Sequence, residues 1–139
     1  MLKKILFFSV IAFYFLMQIE AKSPYEIKNF SLKSRIEKIS QNFIEIELEN
    51  TSKKDIAGFE LDFELAFCDE GSDFEDENHF LIKVDCSLLP NSSEIFAVQF
   101  EIPASFEDKT DFFVKSIFLR QVFFSDGTRW KDFFGMYSL

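Results

Sequence analysis

The chain has 139 residues, 47% of them hydrophobic and 28% charged, with a formal net charge of −9 and 21 phenylalanines. That aromatic content excludes a disordered chain. The low glycine and proline counts (4 and 3) exclude collagen-like and proline-rich classes, and the length admits one domain with a real hydrophobic core rather than two. The acidic excess argues against nucleic acid or an anionic membrane surface as a partner.

Residues 1–21, MLKKILFFSVIAFYFLMQIEA, have the layout of a secretory signal peptide. Lys3 and Lys4 form a basic start, Ile5 to Met17 an uncharged and mostly apolar run, and Gln18 to Ala21 a polar end with a small residue at the cleavage position. The run is shorter than the ~20 residues a spanning helix needs, so an uncleaved anchor is the lesser alternative, and no stable membrane insertion is expected once the leader is removed. Cleavage after Ala21 leaves residues 22–139. It takes two lysines, one glutamate and four phenylalanines with it, so the formal charge moves from −9 to −10. The expected location is periplasmic or secreted.

Beyond the leader the dominant hydrophobic period is 2, the mark of half-buried strands. Tyr25–Leu32 reads as an edge strand and Ser34–Ile39 as strand or a short helical turn. In the next segment Ile44, Ile46 and Leu48 alternate with Glu45, Glu47 and Glu49. In the one after it Phe59, Leu61, Phe63, Leu65 and Phe67 alternate with Glu60, Asp62 and Glu64. These acids read as a solvated sheet face. Phe80–Cys86, Ile95–Ile102, Val114–Phe124 and Thr128–Phe134 follow as strands, with a single helical turn over 106–110. Turn chemistry separates them at Asn50–Asp55, Asp69–Asn78, Pro90–Ser93 and Ser125-Asp126-Gly127. About seven strands with short loops predict an all-β, antiparallel two-sheet sandwich of immunoglobulin type.

The stretch Glu47–Gly71, ELENTSKKDIAGFELDFELAFCDEG, resembles the core of secreted bacterial immunoglobulin-like domains of the FxLYD kind, with their N-S/T-x-x-x-I/L strand-turn-strand and an alternating strand ending near D-x-G. SDGTRW is similar to the closing hairpin of related secreted domains. The two patches cover about a quarter of the chain, and the match departs at Ala66-Phe67-Cys68, where the family tends to carry a tyrosine. The resemblance implies a fold and a binding or structural role rather than an activity.

Four constellations bear on function. The acidic loop offers Asp69, Asp73, Glu75 and Asp76 as oxygen ligands for calcium, without the spacing of an EF-hand; a solvated hairpin is the favoured reading. His79, the only histidine, reads as an exposed structural residue. Cys68 and Cys86 form an even pair that an oxidising compartment would bridge. Their strand parity puts Cys68 outward and Cys86 inward, so a bridge needs a bulge or a first loop residue at a strand end to reset the parity; one buried free thiol and one near the surface is the alternative. The sequons at Asn29, Asn50 and Asn91 are acceptors only in a eukaryotic secretory route. No nucleophile elbow, phosphate loop, zinc-protease or C-x-x-C pattern occurs, so neither an enzyme nor a cofactor is expected.

The C-terminal hairpin is the most specific feature. A two-residue Asp126-Gly127 turn sets Phe123 opposite Trp130, Gln121 opposite Asp132 and Leu119 opposite Phe134 on the core face. The other face then gathers Arg120, Phe124, Arg129, Lys131 and Phe133. Cationic stems covering aromatic rings are the simpler account of that face; a protein-binding surface is the sharper one, because interface hot spots favour arginine and aromatics. The function expected is an exported, non-catalytic interaction or structural module for a protein partner not readable from the sequence. A calcium-stabilised module and an accessory domain of an envelope enzyme complex are the alternatives.

Overall fold

The structure is a computed structural model that describes residues 22–34, 42–68, 75–102, 112–132 and 134–139. The leader, most of the Ser34–Ile39 segment, Asp69 and Asp73 of the acidic loop, the expected helical turn at 106–110 and Phe133 lie outside the described residues.

Among the described residues, seven strands form two antiparallel sheets: β1 (Tyr25–Ser34), β2 (Asn42–Asn50), β3 (Ile56–Cys68), β4 (Glu75–Leu88), β5 (Ser93–Phe100), β6 (Phe112–Phe124) and β7 (Arg129–Lys131). One sheet has the order β1-β2-β5 and the other β4-β3-β6-β7. The chain therefore changes sheet after β2, after β4 and after β5. The period-2 residues explain the packing: Ile44, Ile46 and Leu48 from β2 and Phe59, Leu61, Phe63 and Leu65 from β3 are fully buried. Removing that apolar area from water is the main stabilising term.

Aromatic rings join the two sheets. Phe63 of β3 stacks on Phe80 of β4 at 4.9 Å and meets Phe100 of β5 edge-on at 5.2 Å. Phe59 meets Phe96 edge-on at 5.2 Å. At the opposite side of the sandwich Tyr25 of β1 reaches across to β6, where its hydroxyl accepts the Leu119 N–H at 2.9 Å.

Regular pairing breaks at defined places. The β3–β6 register skips Arg120 and Lys115, so both are bulge residues of β6. It also slips between Ile56 and Gly58, where a Cβ on Gly58 would stand 2.9 Å from the Val84 carbonyl oxygen, which accounts for glycine there. Asn50 is fully buried and knots the loops at one end of the sandwich. Its Nδ2 donates to Lys54 O (2.8 Å) and Leu88 O (2.9 Å), and its Oδ1 accepts from the Ser52 N–H and hydroxyl. Its main chain bonds Ser92 O and Asn91 N.

The expected Cys68–Cys86 bridge is corrected by the ladder. Cys68 pairs with Glu75 at one end of β3–β4, whereas Cys86 lies next to the Ile56–Leu88 pair at the other. Cys86 lies eleven residue steps along β4 from Glu75, roughly 36 Å of strand, far beyond disulfide reach. Cys86 is a free thiol packed on the core side.

Burial, then the Glu94 and Asp85 carboxylates, push the Cys86 thiol up to about 11 from an ordinary 9.0. At pH 8 such a shift leaves about 100-fold less thiolate, offset about 10-fold by its greater nucleophilicity. A Cys68→Ser chain is therefore expected to take up one iodoacetamide about 10-fold more slowly than a cysteine peptide, a ratio intact-mass kinetics reads directly. Labelling at the peptide rate contradicts the buried placement.

Candidate functional site

The C-terminal hairpin closes with a three-residue loop, not the expected two. Phe124 N–H donates to Thr128 O at 2.9 Å and Gly127 N–H to Phe124 O at 3.1 Å, with Gly127 at φ +85°. This is the three-residue hairpin geometry that ends in a left-handed glycine. Val122 consequently pairs with Trp130, Phe123 with Arg129 and Gln121 with Lys131. The one-residue shift leaves Trp130, Arg129 and Lys131 on their expected faces but exchanges Phe123 and Phe124 of β6. Val122 is buried, Phe124 and Trp130 pack against the core, and Phe123 lies on the outer face with Arg129.

Of the expected grouping of Arg120, Phe124, Arg129, Lys131 and Phe133, the fold sets Phe124 apart on the core side, brings Arg120 and Lys131 to one cleft, and leaves Phe133 outside the described residues. Arg129 and Lys131 share the outer face and are exposed. Phe124 is turned to the core side and is covered by Lys54, whose Nζ stands 5.3 Å from its ring centre. Phe123 is covered by Lys83 at 5.1 Å. Cationic stems do cover these rings, but they come from the β2–β3 loop and from β4, so hairpin register alone could not name them.

Lys54 also straps the hairpin loop. Its Nζ lies 2.9 Å from Asp126 Oδ2 and 2.9 Å from Thr128 Oγ1. Asp126 accepts from the Thr128 hydroxyl and N–H, and these bonds, the hydroxyl first, with Lys54 hold its carboxyl well below the usual carboxylate range.

Arg120 is occupied differently. Its Nη2 stands 3.1 Å from Asp62 Oδ2, an ion pair off the line of a hydrogen bond. His79 Nε2 lies 2.6 Å from Asp62 Oδ1. Asp62, expected on a solvated face, is 2% exposed; a carboxylate so placed needs both partners. The alternation that put Asp62 outward was correct, but the bulge at Arg120 swings a guanidinium over it. His79 is exposed, as expected, yet it has a specific partner seventeen residues away.

After β7 the chain continues along the β6 edge. Asp132, 5% exposed, accepts the N–H groups of Phe134 (3.3 Å), Met136 (3.0 Å) and Tyr137 (3.2 Å). Asp132 N–H bonds Arg120 O and Leu139 N–H bonds Ile117 O, so the terminal segment is pinned to the β6 edge at both ends. Gly135 seats against the Phe118 ring, and Trp130 lies between Tyr25 and Tyr137. This arrangement leaves Phe134 87%, Met136 76% and Leu139 61% exposed. A cleft of about 280 Å³ lined by Arg120, Gln121, Lys131 and Asp132 adjoins it. The only signal in the sequence was a run of apolar residues after a strand; the carboxylate that organises them reads as an ordinary surface acid.

Glu75 and Asp76, two of the calcium candidates, are the first residues of β4. Among the described residues no group of three His, Cys, Asp or Glu side chains converges as a metal site. Nor, among them, is any helix long and apolar enough to cross a membrane. No protein family, curated protein or solved structure matches the chain.

Proposed function

We propose that this is an exported, non-catalytic interaction or structural module with an immunoglobulin-like sandwich, which engages a protein partner through the β7 face and the segment after it. The observation that carries the reading is the presentation of Phe134, Met136 and Leu139 on a backbone fixed by Asp132, beside exposed Arg129 and Lys131. Ordered apolar and aromatic side chains rimmed by cations are what interface hot spots use, and ordering them before binding lowers the entropy cost of association. Export rests on the layout of residues 1–21. The immunoglobulin-like assignment is supported by seven antiparallel strands divided three and four with sheet-changing connections.

Replacing Phe134 and Met136 together by serine, in a chain that also carries Arg129→Ala, is expected to abolish crosslinked capture of the partner from the native envelope. The melting temperature should stay within about 2 °C, because exposed side chains contribute little to stability. Undiminished capture by this variant would falsify the assignment of the surface.

A further inference from the structure

Among the described residues each sheet has two outer strands, and three of these four edges carry a device that discourages pairing with another chain. On β1 the register against β2 skips Lys28, a bulge at a charged residue, and Lys33 lies further along. The β7 edge is three residues long, and the terminal segment takes over beyond it. On β4 the exposed residues His79, Lys83 and Asp85 punctuate the strand. Bulges, short strands and charges of this kind are how proteins protect sheet edges.

The fourth edge, β5, has none of these. It runs eight residues, SEIFAVQF, with no register shift against β2. It contains no proline or lysine and one charge, Glu94, near its start. Ile95 is 66% exposed on the outer face, and Ala97 and Gln99 follow it there. Phe96, Val98 and Phe100 point into the core.

We propose that β5 pairs with β5 of a second copy of this chain, antiparallel about a two-fold axis through Ala97, to make one continuous six-stranded sheet. The sequence permits that register. Ile95 faces Gln99, Phe96 faces Val98, Glu94 faces Phe100 and Ala97 faces itself, so no like charges stand opposite each other. The pairing keeps outer faces with outer faces, as the strand period demands. The acidic stripe Glu45, Glu47 and Glu49 of β2 lies three strand spacings from its copy, about 14 Å, beyond the screening length of about 8 Å at physiological salt. Main-chain hydrogen bonds along the edge supply the affinity. With a formal charge of −9 on each chain, the dimer is weak and strengthens as salt rises.

Sedimentation velocity of the full chain across a wide concentration range, at low and high salt, reads this directly. A monomer–dimer equilibrium that moves toward dimer with salt is expected. Ala97→Lys and Ala97→Glu each place like charges on the axis and should be monomeric, whereas an equimolar mixture of the two should dimerise again. In the wild type, amide exchange in β5 should slow as concentration rises. A wild type that stays monomeric, a dimer indifferent to the charge at position 97, a mixture that fails to associate, or β5 exchange independent of concentration overturns the proposal. None of these outcomes bears on the β7 surface, which the partner-capture experiment tests separately.

Discussion

Phe63→Ala is expected to be the most damaging single substitution described here. The ring is fully buried and belongs to a three-ring contact that includes both sheets, with Phe80 at 4.9 Å and Phe100 at 5.2 Å, while Phe80 and Phe100 themselves meet at 5.0 Å. Truncation removes the transfer energy of the ring and leaves a cavity that neighbours on two separate sheets cannot close together, so the cost is about 3–5 kcal/mol. For a domain of this size that lowers the melting temperature by about 10–25 °C, a large part of a total stability of about 5–15 kcal/mol. Phe63→Leu keeps most of the volume and should cost far less. Chemical denaturation of both variants tests the pair. A loss for Phe63→Ala no larger than that for Phe63→Leu contradicts the packing.

Tyr25→Phe should have the second largest effect, and it carries a pH signature. The substitution keeps the ring against Trp130, 5.8 Å away, but strips the acceptor from the buried Leu119 N–H. An orphaned buried donor costs about 1–3 kcal/mol. Burial, with smaller contributions from Asp132 and Tyr137, pushes the Tyr25 hydroxyl up to about 12 from an ordinary 10.0, against the lowering effect of the Leu119 hydrogen bond. The folded state therefore favours the neutral phenol. That stability is fully present below pH 10 and is lost as pH rises toward 12, a swing of about 2–3 kcal/mol. Cys86 weakens the fold in the same direction above pH 9, so the informative quantity is the difference between wild type and variant. The two stability curves should run parallel up to pH 10 and converge above it. Curves that stay parallel to pH 12 would show that Tyr25 ionises as freely in the folded chain as in the unfolded one.

The parts of this fold legible in the sequence are those where one local rule decides. In β2 and β3 alternating Ile, Leu and Phe fix the buried face without help from elsewhere, and the structure buries Ile44, Ile46, Leu48, Phe59, Leu61, Phe63 and Leu65. The hairpin register is ambiguous by one residue in the sequence because Asp126-Gly127 serves equally as a two-residue turn or as the end of a three-residue loop. The choice rests on the loop contacts of Lys54 and on the Ser125 N–H bond to Asp55 O, all distant in sequence. The burial of Asp62 is hidden from the sequence because a bulge leaves no trace in hydrophobic periodicity. Compartment chemistry favours pairing the cysteines but says nothing about the ends of a ladder at which they fall. Long-range placement decided all three, and that is the information a one-dimensional pattern lacks.

Asn50 gives the sandwich a chemical exclusivity. It heads the tripeptide Asn50-Thr51-Ser52, an acceptor for oligosaccharide in a eukaryotic secretory route. Yet the same Nδ2 that would receive the sugar already gives hydrogen bonds to two carbonyls in a site with no room for a substituent. A sugar attached to the nascent chain and the native loop knot cannot coexist on one molecule. Passage through such a route would divide the protein into a sugar-bearing population unable to close this end of the sandwich and a bare population that folds. Asn29 and Asn91, both exposed, impose no such choice.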